Sequence, residues 1–206
     1  MISKSILDLV HTSRTVHQNA VYVSSLLEPI ENESNVKFDI NADGKIDKTG
    51  WIHPTTGLLA IDHNKDNIIQ DASELFGEFT ATPKLIGNHQ FSNGYEALQA
   101  YDSNKDGFID MSDRLGLDIL FDYLGVWFDR NINGKTDKGE FLSLSSLGIT
   151  KIATSYTATE IPYVSFKNHV RFQSKFYGPK ACPASGCHSY DVFFATDTKQ
   201  KILGQK

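Results

Sequence analysis

Asp129-Arg130-Asn131-Ile132-Asn133-Gly134-Lys135-Thr136-Asp137-Lys138-Gly139-Glu140 sets oxygen-bearing side chains at positions 1, 3, 5, 9 and 12 of a twelve-residue run, with glycine at 6. A chain that wraps a hard cation needs this order. Alternate side chains turn inward, position 7 (Lys135) turns its carbonyl inward, and a carboxylate at 12 closes the shell through both oxygens. The same spacing occurs three more times. Asp102, Asn104, Asp106 and Gly107 repeat it, with the Phe108 carbonyl at 7 and Asp113 at 12. Asp113 is shorter than glutamate, which favours one-oxygen contact and the smaller magnesium ion. Asp62, Asn64 and Asp66 form another copy, with Asn67 at 6 and the Ile68 carbonyl at 7; Ser73 stands at 12 and Glu74 one residue later, within reach of an ion if the exit is wider. Asp39, Asn41, Asp43 and Gly44 form the earliest copy, with the Lys45 carbonyl at 7 and Gly50 at 12. That loop has to borrow a ligand, use Asp47 or water, or bind weakly. Asx side chains also cap their own turns, so one such loop alone is equally well read as turn chemistry. Four in one chain point to calcium, with up to four ions.

Charge is placed accordingly. The net charge is −5, and more than half of the 25 acidic residues lie in the four loops. Lysine and arginine are scattered with no basic stripe, so a nucleic-acid footprint is not expected. The apolar fraction of 40% and aromatic fraction of 11% are those of an ordinary globular protein. No apolar run reaches the length of a membrane span, and no signal peptide is visible at the N-terminus. A monomer is expected, and no feature names a protein partner. Cys182 and Cys187 are separated through Pro183 and Gly186. A loop-tip disulfide, free thiols, or zinc with His188 are the alternatives, and a disulfide would imply an oxidising compartment.

Between the loops the pattern suggests an α+β fold. Ile6–Val10 and Leu58–Ile61 read as strands, with a turn at Pro54–Gly57, and 19–27 shows apolar alternation. Residues 79–91 read as a connector. Asn93 and Glu96 resemble a capping box that opens a short helix through Tyr101. Apolar positions 117, 120, 121, 124 and 127 predict a helix over 113–127, and Glu140–Leu147 a further short helix. These elements would make 93–148 a paired EF-hand, with two irregular loops around a β-hairpin in 38–78. Strands are expected at 149–156, and a hairpin from 169–177 and 190–194 with the cysteines at its tip. The resulting division is an N-terminal segment 1–37 packed on the module, a calcium module 38–195 with its hairpin region at 149–195, and a tail 196–206.

The words around the loops carry a resemblance. Gly50-Trp51 follows the first loop, Gly57-Leu-Leu leads into the second, and Glu74-Leu-Phe-Gly77 follows it. Gly94-Tyr-Glu-Ala-Leu98 precedes the third, Trp127-Phe-Asp129 opens the fourth, and Leu144-Ser-Ser-Leu-Gly148-Ile149 follows it; Asp191-Val-Phe-Phe194 comes later. Over about residues 36–195 the chain resembles the calcium-dependent self-processing modules of bacterial repeat-in-toxin proteins. The resemblance implies a module that is loose without calcium and compact with it, in a secreted, cell-surface or periplasmic bacterial protein. Some members of that family cut an Asp-Pro bond at their own N-terminal edge: the aspartate attacks its own carbonyl, and water or a lysine amine opens the resulting anhydride. Here no proline follows an aspartate; the six prolines follow Glu28, His53, Thr82, Ile161, Gly178 and Cys182. Ser3 and Lys4 stand roughly where the scissile pair would be. A non-cleaving, calcium-folded relative is the expectation, with autoproteolysis or calcium-dependent adhesion as alternatives. A sensor that grips target helices would want a Met-rich groove, and this chain has only Met1 and Met111.

Overall fold

The computed structural model describes residues 3–10, 36–81, 91–164 and 168–195. Its elements are β1 (Ser3–Val10), β2 (Lys37–Phe38), β3 (Asp47–Lys48), β4 (Thr56–Ile61), helix α1 (Gly94–Gln99), β5 (Phe108–Asp110), β6 (Arg114–Leu115), β7 (Asp118–Ile119), β8 (Leu124–Trp127), β9 (Phe141–Ser143), β10 (Lys151–Ala153), β11 (Thr157–Val164), β12 (Asn168–Tyr177) and β13 (Cys187–Ala195). Single 3-10 turns cover Ala72–Glu74 and Leu120–Tyr123. Nine strands form one sheet in the order β5-β10-β12-β13-β1-β4-β8-β9, with β11 on β12. Every recorded pairing in it is antiparallel. The N-terminal strand β1 lies in the middle, pairing Leu9 with Ser189 on one side and with Gly57 on the other.

The α+β expectation with a paired EF-hand is therefore corrected: the protein is built on β-sheet, and among the described residues its one α-helix is six residues long. That helix has the local chemistry foreseen for it. The Asn93 side chain accepts from the N–H groups of Tyr95 and Glu96, and the Glu96 carboxylate accepts from Ser92 N. The helix expected over 113–127 is instead a tight β6–β7 hairpin, a 3-10 turn and β8. Leu117, assigned to its apolar face, is fully exposed at the hairpin tip. Leu120 and Phe121 are buried in the 3-10 turn, and Leu124 and Trp127 belong to β8, all four residues of which are buried because β4 and β9 flank it. Gly125 fits this site only as glycine, since a Cβ there would lie 2.4 Å from the Phe141 ring and 2.7 Å from the Leu142 carbonyl. The helix expected over 140–147 is β9, pairing with β8, followed by a turn. Short apolar runs match both periods, and sheet neighbours decided between them.

Alternation along the central strands divides two cores. Leu58 and Ala60 of β4 join a cluster with Phe38, Trp51, Trp127, Val192 and Phe194, whereas Leu59 and Ile61 join Phe76, Tyr95, Leu98, Ile109 and Val126. In the first core the Phe38, Trp51 and Trp127 rings lie 5.4–5.5 Å apart, centroid to centroid. Such aromatic pairs contribute about 0.5–1.5 kcal/mol each beyond their burial. The first, second and fourth Asp-rich loops rise from this core through Ile40, Ile69 and Ile132, and the third rises from the other core through Ile109. A disulfide joins Cys182 and Cys187, with Cα atoms 5.1 Å apart, in the turn before β13. Among the described residues no helix is long and apolar enough to cross a membrane. The alternation read at 19–27 and the tail at 196–206 lie outside the described residues.

Candidate metal centre

The four loops share one backbone design. Position 4 has a positive φ in each: Ala42 52°, Lys65 59°, Lys105 60° and Ile132 58°. Position 6 has it again, with Gly44 at 81°, Asn67 at 61°, Gly107 at 89° and Gly134 at 71°. Two left-handed residues one apart coil the chain so that successive N–H groups turn inward, toward the first side chain. In every loop that aspartate accepts from position 5 through one oxygen and from position 6 through the other. The distances are 3.1 and 2.8 Å at Asp39, 3.3 and 2.8 Å at Asp62, 3.2 and 2.9 Å at Asp102, and 3.0 and 2.7 Å at Asp129. The position-5 side chain accepts from the N–H of position 7: Asp43 from Lys45, Asp66 from Ile68, Asp106 from Phe108 and Asn133 from Lys135. The position-3 side chain accepts from position 5 in the first three loops (Asn41, Asn64, Asn104), while Asn131 donates to Asp137 at 2.7 Å.

The closing carboxylate separates the loops. Glu140 accepts from Arg130 N at 2.8 Å and from Asp137 N at 3.0 Å, the N–H groups of positions 2 and 9. Asp113 makes the same two bonds, from Ser103 N at 2.8 Å and Asp110 N at 2.9 Å. In the second loop Glu74 takes this place although it stands one residue late, accepting from His63 N at 3.3 Å and Gln70 N at 3.0 Å. The 3-10 turn capped by Asp71 absorbs the extra residue. In the first loop position 12 is Gly50, which has no side chain for this part.

Burial follows the same division. Positions 1 and 12 are inside: Asp62, Glu74, Asp102, Asp113, Asp129 and Glu140 are each at most 9% exposed. Positions 3 and 5 face solvent in the second, third and fourth loops. Among the described residues none of these buried carboxylates is paired with lysine or arginine. A buried carboxylate without a counter-charge costs several kcal/mol, and here they come in adjacent pairs. Burial pushes the Glu74 carboxyl up; the Gln70 and His63 N–H groups oppose this, and Asp62 adds repulsion. Burial likewise pushes Asp129 up, against the N–H groups of Gly134 and Asn133, with Glu140 repelling it.

A hard divalent cation fits this donor set. It is all oxygen, and each closing carboxylate oxygen that holds one N–H keeps a lone pair. Asp62, Asn64, Asp66, the Ile68 carbonyl and Glu74 would hold one ion. Asp102, Asn104, Asp106, the Phe108 carbonyl and Asp113 would hold a second, and Asp129, Asn131, Asn133, the Lys135 carbonyl and Glu140 a third. Asp39, Asn41, Asp43 and the Lys45 carbonyl supply an incomplete shell. Among the described residues no group of three or more His, Cys, Asp or Glu side chains is placed so as to hold a metal ion by itself.

The raised carboxyls set a pH dependence for the calcium-free protein. A carboxyl raised in the folded state contributes stability below its unfolded value and loses it as pH rises through the folded one. Asp110 and Asp137 act the other way, lowered by hydrogen bonds from Ser112 and from Asn131 and Asn133, but Asp137 is exposed and Asp110 only partly covered, so both count for little. Metal-stripped protein should therefore hold more folded structure at acid pH, near the ordinary carboxylate range, than at neutral pH, and calcium-saturated protein should not. Circular dichroism melts check this; the same pH trend with and without calcium would contradict it.

Two residues that the sequence reading passed over join the loops. Thr136, at position 8 of the fourth loop, accepts from Ile69 N at 2.9 Å and donates to Ile69 O at 3.3 Å. Ile69 is position 8 of the second loop. An isoleucine at position 8 in three loops, replaced only in the fourth by a hydroxyl residue, was the signal available.

Comparison with known proteins places this geometry. A family model described as the SPM domain matches residues 26–185. Over 119 residues the chain is 36% identical to the iron-regulated protein FrpA of Neisseria meningitidis serogroup C; the stretch makes up 58% of this chain and 10% of that relative.

Proposed function

The chain belongs to the SPM domain family, and from that premise we propose that it is a calcium-binding module whose folding depends on the ion, part of an exported or surface bacterial protein. The observation that carries this reading is the set of buried carboxylates, Asp62 with Glu74, Asp102 with Asp113 and Asp129 with Glu140, held in one repeated frame with no lysine or arginine paired to them among the described residues. Calcium bound there would supply the positive charge that these groups lack. The chain's own part is to hold them ready. Backbone N–H groups of positions 2, 5, 6 and 9 orient the carboxylates, and the Trp51–Trp127 core fixes three loops to the sheet. Binding free energy then appears as folding free energy. Millimolar calcium outside a cell would fill even weak sites of this kind. The relative from a bacterial pathogen and the resemblance to repeat-in-toxin modules support the exported setting.

Native mass spectrometry of metal-stripped protein titrated with calcium tests the proposal. The expected result is one ion for each loop with a closing carboxylate, and a weaker further ion at Asp39. No bound calcium at about 1 mM would overturn it.

A further inference from the structure

We propose that the second and fourth loops bind calcium as a coupled pair through the Thr136–Ile69 contact; this deepens the calcium reading and rests on it. The sequence order suggests a different pair, the third loop with the fourth. The geometry joins loops separated by |i−j| = 67 instead.

One hydroxyl serves both main-chain groups of Ile69. From there the connection to each closing carboxylate is one residue long. Gln70, next to Ile69, gives its N–H to Glu74 at 3.0 Å. Asp137, next to Thr136, gives its N–H to Glu140 at 3.0 Å. Preceding neighbours Ile68 and Lys135 carry the carbonyls of position 7. Ordering of Glu140 therefore fixes the 135–137 segment, which fixes Ile69 and so the Ile68 carbonyl and the Gln70 N–H. Both loops are also rooted in one core, through Ile69 and Ile132. A contiguous, hydrogen-bonded link of this kind is the physical means by which two sites share a free energy.

The third loop has no such contact. Its position 8, Ile109, pairs with Ile152 of β10 and packs in the other core. Among the described residues its hydrogen-bonded link to the second loop runs through the 120–123 turn, where Leu120 N donates to Asp113 O and Asp62 N to Tyr123 O. Those bonds join the last residue of one loop to the first of the other and leave positions 7 to 9 free of each other. The third loop is thus an internal control.

The test is a calcium titration of the full chain followed residue by residue through amide NMR. The amides of His63 and Gln70 report the second loop, Ser103 and Asp110 the third, and Arg130 and Asp137 the fourth. Glu140→Gln disables the fourth loop, and Thr136→Val removes the hydroxyl while keeping the shape. In Glu140→Gln the second loop should weaken about tenfold more than the third, since any loss shared through folding lowers both. Thr136→Val should weaken the second loop by a similar factor, and adding Glu140→Gln to it should weaken the second loop no further. Thr136→Ser keeps the hydroxyl and should behave as the unsubstituted chain, which guards against a Thr136→Val variant that fails to fold. A second loop unchanged by Glu140→Gln, or a third loop weakened as much as the second, overturns the coupling. If the second and fourth loops of the unsubstituted chain ignore calcium altogether, the calcium reading itself falls.

Discussion

Glu140→Gln is expected to lower the calcium affinity of the fourth loop by about 100-fold or more. Glutamine has nearly the shape of glutamate, so the loss is electrical. It removes the negative charge that faces Asp129, and it turns an amide NH2 toward one of two main-chain donors, Arg130 N or Asp137 N, that now share the carboxylate. A donor left facing a donor costs roughly 1–3 kcal/mol with or without calcium. The charge term changes sign with the ion: without calcium the substitution relieves the repulsion between Glu140 and Asp129, and with calcium it removes a ligand charge. A 100-fold weaker site forfeits about 2.7 kcal/mol of linkage at saturating calcium, which lowers Tm by roughly 5–10 °C in a chain of this size. Thermal melts at saturating and at limiting calcium separate the two terms. An equal drop in both conditions would mean that Glu140 is a turn-former and nothing more.

Gly134→Ala should be the most damaging of the glycine substitutions in the loops. Gly44, Gly107 and Gly134 all hold position 6 with positive φ, and alanine pays roughly 1–2 kcal/mol there for the backbone alone. Around Gly44 and Gly107 an added Cβ would meet nothing within 4 Å. At Gly134 it would lie 2.7 Å from the Lys37 carbonyl oxygen and 2.7 Å from a Val36 methyl, where the chain runs into the first loop. Overpacking against main chain adds roughly 1–3 kcal/mol. Gly134→Ala is therefore expected to destabilise by roughly 2–5 kcal/mol, and Gly107→Ala by the backbone share only. Denaturant unfolding in calcium compares the two; equal losses would contradict the close approach of the first loop to the fourth.

The shape of the four loops was legible in the sequence because each loop is a local structure. A position-1 aspartate bonds to N–H groups four and five residues on, so spacing alone carries it. Glu74 was legible as a late closing residue, since glutamate has the length to reach back, and the Asn93 cap was legible for the same local reason. The positive φ at Ala42, Lys65, Lys105 and Ile132 was not. Those residues have no preference for that backbone, and the bonds converging on the aspartates hold them there. The sheet was least legible. Leu120, Phe121, Leu124 and Trp127 fall on a helical face by spacing, yet β8 exists because β4 and β9 lie on either side, partners distant in the chain. The same holds for β1, a short strand near the N-terminus that takes its place between β13 and β4 only when both ends of the chain come together. Pairing across loops was misread for a related reason: the third and fourth loops are neighbours in sequence, but the contact that joins two loops runs from Thr136 back to Ile69.

The most direct test of a calcium-dependent fold is the two-dimensional amide spectrum of metal-stripped protein before and after calcium is added. The buried carboxylate pairs at Asp62, Asp102 and Asp129 predict a collapsed spectrum without the ion and full dispersion with it, including the distant amides of β12 and β13. A stripped protein that already shows the dispersed spectrum, with calcium moving only the loop signals between 62 and 140, would contradict the account.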